Sequence, residues 1–280
     1  MTDISILQKE IFEQPSAIQS LLDYETEHIF SLAQQIKDKF QYVVIAARGS
    51  SDNAARYAQY VFGTYNQLQV ALATPSLFSM YQTPPRLNEA LVIGISQSGQ
   101  SPDIVSVLEE AQRQGRPTLS ITNDPGSPLA KASDHVIRLH TGAERAVAAT
   151  KTYTSSLAAL AMISCAIGED RSRLNELQAI PGYITHILAH MHEITQKVAR
   201  YRYMQHCAVI GRGYNYSTAF EIALKIKELT RVVAEPYSSA DFRHGPVATI
   251  SSGFPVFLVA PTGVISSDIE NMLKELEALK

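Results

Sequence analysis

Two stretches of this chain hold residue types spaced for chemistry. The first is Ser96-Gln97-Ser98-Gly99-Gln100-Ser101. It offers hydroxyls from Ser96, Ser98 and Ser101, an amide from Gln97, and a glycine that lets a ligand approach the backbone. No charged residue lies in it, so an anion would be held by hydroxyls, backbone N–H groups and the N-terminus of the helix that follows. The same residues also fit an ordinary Ser-rich helix cap. Their place at the carboxyl end of a buried strand favours a phosphate cradle. Ser51, in a similar turn after an earlier strand, could face the same anion. The second stretch is a helix carrying Glu221, Lys225 and Glu228, followed by Arg243-His244-Gly245-Pro246. Spacings of four and three put the charged residues on one helix face. They fit a solvated ion-pair face. With His244 nearby they also fit an acid/base set acting on a sugar.

The elements that must position these residues can be read from hydrophobic pattern. Short continuous apolar runs, buried parallel strands by type, stand at Tyr42–Ala47, Leu68–Ala73, Leu91–Ile95, Thr118–Thr122 and His135–Leu139. Helical patterns separate them: Ser16–Lys37, capped by Ser16 after Pro15, then Ala54–Phe62, Pro75–Tyr81, Ile104–Gln114 and the apolar Thr150–Ile167. Strands alternating with helices predict an α/β fold, a parallel sheet covered on both faces with its ligand at the strands' carboxyl ends. A helical stretch, Arg173–Tyr203, is interrupted near Pro181, and then the pattern restarts. His206–Ile210 and Val232–Glu235 read as strands, Thr218–Thr230 as a helix, Pro255–Ala260 as a further strand and Ser267–Lys280 as a closing helix. Ala47-Arg48-Gly49 and Gly211-Arg212-Gly213 hold equivalent places. The chain reads as a duplicated α/β unit, divided into 1–170 and 171–280. About three strands are counted in the second half, which looks cut short. Gly211-Arg212-Gly213 lacks the full six-residue glycine motif of a dinucleotide site.

Composition narrows the function classes. The chain has 280 residues, 45% of them hydrophobic, with a formal net charge of −3. That reads as a soluble globular protein, with no basic run for nucleic acid. No apolar run is long enough for a membrane span and no signal peptide pattern opens the chain, so a cytoplasmic place is expected. Cys165 and Cys207 sit in apolar contexts and read as buried free thiols. His186, His190 and His192 share a helical segment without zinc-site spacing, and no metal is expected.

The serine loop, Ala148-Ala149-Thr150-Lys151, Glu221–Glu228 and Arg243–Pro246 together resemble the sugar isomerase (SIS) family, in that family's order. The opening Lys9-Glu10-Ile11-Phe12-Glu13-Gln14-Pro15 resembles the start of such a domain. The likeness is greatest to the isomerase domain of glucosamine-6-phosphate synthase and to stand-alone SIS-type glucosamine-6-phosphate deaminases. It implies two tandem SIS subdomains, each a flavodoxin-like five-stranded parallel sheet, in a homodimer with shared sites and no cofactor. It implies that Ser51, Ser96, Gln97, Ser98 and Ser101 bind the sugar phosphate and that Val147 contacts the sugar. Glu228 then matches the base that moves a proton between C1 and C2, with Lys225 on the same active-site helix. His244 matches the ring-opening residue, which enters from the partner subunit. Arg48 and Ala149 stand where the synthase has Cys and Ser, and the family's tail lysine has no counterpart before Lys280.

The chain opens with Met1 and shows no N-terminal Cys nucleophile of a glutaminase. The expected reaction is therefore deamination of glucosamine 6-phosphate to fructose 6-phosphate and ammonia. A fructosamine-6-phosphate deglycase, a synthase isomerase domain and a sensing module that keeps only the cradle stand beside it. A sensing module would need neither Glu228 nor His244.

Overall fold

The computed structural model describes residues 4–279, which fall into two compact units, one ending at His190 and the other beginning at Met191. The first unit contains α1 (Ile6–Phe12), α2 (Gln14–Ile36), β1 (Tyr42–Ala46), α3 (Ser50–Asn66), β2 (Val70–Leu72), α4 (Ser76–Ser79) and β3 (Ala90–Ile95). It continues with α5 (Pro102–Arg113), β4 (Thr118–Thr122), α6 (Pro128–Lys131), β5 (His135–Arg138), α7 (Lys151–Ile167), α8 (Arg171–Leu177) and α9 (Ile180–Ala189). The second unit contains α10 (Met191–Lys197), β6 (His206–Gly211), α11 (Tyr214–Thr230), β7 (Val233–Ser238), α12 (Ser239–Arg243), β8 (Val256–Leu258) and α13 (Ser266–Ala278).

The fold is α/β, with a five-stranded parallel sheet in the first unit, ordered β2-β1-β3-β4-β5. This is the flavodoxin-type order, and its switch point lies between β1 and β3. Register there runs from Tyr42 opposite Ala90 to Ala46 opposite Gly94, so both strands end side by side. Every residue of β3 is buried, which is why the strand reads as an unbroken apolar run rather than an alternation. One face of the sheet packs Val44, Ala46 and Val92 against Ile104, Val107, Leu108 and Ala111 of α5. On the helical side α2 and α3 both pack on α7, and α9 packs on α2. The division expected after residue 170 thus lies ahead of two helices that this unit includes.

The second unit has a three-stranded parallel sheet, β7-β6-β8. Three strands were counted from the sequence, where the family pattern implies five. Cys207, Val209, Ala219, Ala223 and Ala234 form one core and Ala208, Ile210, Phe242 and Met272 the other.

Several helices begin before their predicted starts. α2 starts at Gln14 with Pro15 inside its first turn and Glu13 as N-cap, because proline is tolerated there and its missing N–H costs nothing. α3 and α11 start at Ser50 and Tyr214, four residues ahead of expectation in each unit. Their N-caps, Gly49 (φ 58°, ψ −132°) and Gly213 (φ 59°, ψ −132°), share a conformation that favours glycine. Each turns the chain from strand to helix within a few residues. The duplication read from Ala47-Arg48-Gly49 and Gly211-Arg212-Gly213 is therefore also a duplication of backbone geometry.

Candidate active site

The serine loop leaves β3 at the switch point and enters α5 at Ser101, the extended N-cap residue whose own side chain makes no cap bond. The Ser96 hydroxyl accepts the Gly99 N–H at 3.1 Å and that of Ser98 accepts the Gln100 N–H at 3.4 Å. A hydroxyl that accepts in this way keeps its own proton to donate. The loop is pinned by β4, the residue after it and α6: Ser96 N–H donates to Ile121 O at 3.1 Å, Asn123 N–H to Gln97 O at 3.1 Å and Leu129 N–H to Gly99 O at 3.1 Å. Gly99 has φ 62°, and a Cβ there would lie 2.2 Å from Ser127 Oγ. Ser51 lies in the first turn of α3, whose early start carries it to the carboxyl end of β1, beside β3. The fold thus brings Ser51 and Ser96–Ser101 to one edge, where two helix N-termini and a set of hydroxyls suit a phosphate.

A bridge not foreseen from the sequence spans these two turns. Arg48 donates to Asp103 Oδ2 at 3.1 Å and Ser79 to Asp103 Oδ1 at 2.6 Å. The hydrogen bond from Ser79, with the Arg48 guanidinium, holds the Asp103 carboxyl below its ordinary range. Arg48 stood out in the sequence only as a departure from the family pattern. Its partner lies across the turn, out of reach of any local signal.

Val147 lies on the segment between β5 and α7 and is 90% exposed. Asn123 joins that segment to the cradle: it donates through Nδ2 to Gly142 O at 2.6 Å and accepts the Thr141 N–H at 3.1 Å. Glu144 accepts from Thr150 N–H at 2.9 Å, from the Thr150 hydroxyl at 3.1 Å and from Thr152 N–H at 3.2 Å. The carboxylate of Glu10 accepts the N–H groups of Arg145 at 2.6 Å and Ala146 at 3.1 Å. Lys151, buried to 2% exposure, pairs with Glu13 at 2.5 Å. A cation in the first turn of α7 opposes the helix dipole, and the Glu13 carboxylate offsets it. That hydrogen bond holds Glu13 below its ordinary range. None of these pairings was read from sequence, although Glu10, Glu13, Thr150 and Lys151 lie within segments that carried the resemblance.

In the second unit, Lys225 on α11 donates to Glu228 Oε2 at 2.7 Å and lies 3.3 Å from Glu221 Oε1. Glu221 is only 6% exposed and Lys225 is partly buried, while Glu228 is exposed. This is not the fully solvated face that helix statistics alone allow. The ammonium fixes the direction of both carboxylates. His244 is exposed and follows α12 directly, just before Gly245 at φ 131°. Among the described bonds none joins His244 to Glu228 or Lys225. The fold therefore groups Glu221, Lys225 and Glu228 and leaves His244 facing outward.

Cys165 and Cys207 are buried free thiols as expected, and burial pushes Cys165 up to about 11. It is a protonated core residue at neutral pH, not a nucleophile. No helix among the described residues is long and apolar enough to cross a membrane.

Known proteins share this fold and sequence pattern. The SIS domain profile matches residues 37–165 and 202–280. The chain is 32% identical over 289 aligned positions to the glutamine–fructose-6-phosphate aminotransferase (isomerizing) of Aliivibrio fischeri, covering 97% of this chain and 47% of that protein. It spans about half the length of the curated relatives it matches. A Silicibacter pomeroyi DSS-3 protein assigned as a phosphosugar isomerase superposes with TM-score 0.90 at 35% identity, covering 98% of this chain and 84% of that one. The C-terminal domain of glucosamine-fructose-6-phosphate aminotransferase from Francisella tularensis superposes with TM-score 0.89 at 28% identity, covering 99% and 82%.

Proposed function

Because the chain belongs to the SIS domain family, we propose that it is an amino-sugar-phosphate isomerase, with deamination of glucosamine 6-phosphate as its reaction. The observation that carries this reading is the pair of constellations: an uncharged hydroxyl cradle at the sheet's switch point, and a carboxylate aimed by a lysine on α11. The cradle takes the 6-phosphate through Ser51, Ser96, Gln97, Ser98 and Ser101, and Val147 lies against the sugar. His244, supplied by the partner subunit of a homodimer, helps open the pyranose ring. Glu228 then takes the C2 proton and returns it to C1, so that an enolamine becomes a C2 imine. Water adds to the imine, the C–N bond breaks, and fructose 6-phosphate and ammonia leave. The C1 aldehyde of the opened sugar is the electron sink when the C2 proton leaves.

A second reading rests on a specific observation. The 32% identity to the isomerizing aminotransferases supports the reverse direction, in which ammonia joins fructose 6-phosphate. Both directions use the same cradle and the same base. The test is ammonia release from glucosamine 6-phosphate, set beside amino-sugar formation from fructose 6-phosphate with ammonia or with glutamine. Hydrogen exchange at C2 is followed in deuterated water. Glu228→Gln is expected to bind substrate normally and to lower turnover by about two to four powers of ten. Near-normal exchange in that variant would remove Glu228 from the mechanism.

A further inference from the structure

The helix α1 is fastened to the first unit in an unusual way. Its one buried residue is a carboxylate, Glu10, at 3% exposure, while the apolar Ile6 and Phe12 are exposed. A buried carboxylate is costly unless its oxygens are satisfied. Glu10 is satisfied by two successive peptide N–H groups, one on each oxygen, from Arg145 and Ala146. Those peptides immediately precede Val147. One helical turn on, Glu13 takes the buried Lys151 that begins α7. The segment bearing Val147 is thus held on both sides by the same short helix, and Glu144 ties its second leg again. What remains between the fixed legs is Val147-Ala148-Ala149, with the valine presented almost wholly to solvent.

An exposed apolar side chain on an over-determined segment is the pattern of a binding surface held ready, since irregular segments carry function when a rigid scaffold fixes them. If α1 served only stability, it would be expected to bury its apolar residues fully, whereas Leu7 and Ile11 are half-buried and Ile6 and Phe12 exposed. Its inward group instead matches two peptide N–H groups and has no other visible use. We propose that α1 is a clamp on the sugar-facing segment, and that Glu10 and Glu13 are positioning residues for recognition of the sugar rather than the phosphate. This rests on the reading that Val147 faces the sugar. The clamp acts by fixing the segment before substrate arrives, so that binding need not order it.

The experiment uses the full chain and three variants: Glu10→Gln, Glu10→Gln with Glu13→Gln, and Glu10→Asp. Glutamine keeps the size of Glu10 but turns an NH2 toward one of the two peptide N–H groups. Amide hydrogen exchange is read at Arg145 and Ala146, and affinity is measured for fructose 6-phosphate and for inorganic phosphate. In Glu10→Gln, exchange at both amides should quicken by about tenfold or more, and fructose 6-phosphate should bind about tenfold more weakly. Inorganic phosphate should bind within about twofold of the parent, because the cradle is anchored by β4 and α6 instead. The double variant should lose more, and Glu10→Asp, which keeps both acceptor oxygens, should recover part of the loss. Unchanged sugar-phosphate affinity alongside quickened exchange overturns the positioning role. Equal weakening toward both ligands overturns it as well, since it marks general damage. A parent chain that does not prefer fructose 6-phosphate over inorganic phosphate overturns the proposed function itself, and the role with it.

Discussion

Replacing Gly99 by alanine tests whether the cradle is built as described. Gly99 adopts φ 62°, where a side chain is strained by about 1–2 kcal/mol. The new Cβ would also lie 2.2 Å from Ser127 Oγ, 2.5 Å from Ser127 Cβ and 3.3 Å from Leu129 Cβ. Ser127 cannot easily yield: it is buried, and its hydroxyl caps α6 by accepting the Ala130 N–H at 3.3 Å. Overpacking of this kind costs about 1–3 kcal/mol. Together the two effects should destabilise Gly99→Ala by about 2–5 kcal/mol, read as a lower urea midpoint at constant slope. Ser127→Gly separates them, because glycine at a cap costs only about a few tenths of a kcal/mol while removing the clashing atoms. In that background Gly99→Ala should cost only the backbone share, about 1–2 kcal/mol, leaving a coupling of about 1–3 kcal/mol between the two sites. A Gly99→Ala chain within about 0.5 kcal/mol of the parent would refute the reasoning, as would a cycle without coupling.

Two further outcomes are expected. The proposed sharing of His244 between subunits predicts that inactive His244→Ala and inactive Glu228→Gln chains regain activity as mixed dimers. Mixed dimers shown to form but still inactive would count against a shared site. The Lys151 hydrogen bond keeps the folded Glu13 below its ordinary 4.5, so its contribution to stability is present above that value and fades as pH falls through the lower folded value. Urea midpoints between about pH 2.5 and 7 should therefore fall less steeply with acid in Glu13→Gln than in the parent. Equal slopes would show that the pair does not contribute.

The sequence determined the central strand of the first unit because β3 is buried on both faces: Leu91-Val92-Ile93 reads as a strand before any neighbour is known. It also carried the serine loop and the Glu221, Lys225 and Glu228 set, since each is contiguous or lies on one helix face at spacings of three and four. Helix starts were legible only roughly. Ser50-Ser51-Asp52-Asn53 has loop composition, yet Gly49 in a left-handed conformation admits the helix at once, and that early start puts Ser51 at the carboxyl end of β1. What tertiary structure alone decided is pairing across the chain. Arg48 finds Asp103, Asn123 links the cradle to Gly142, and Glu10 finds the N–H groups of Arg145 and Ala146. Backbone donors are the same for every residue, so no residue type at 145 or 146 announces that a distant carboxylate will hold them. Only the tertiary fold, which sets α1 beside the segment before α7, brings those groups within reach.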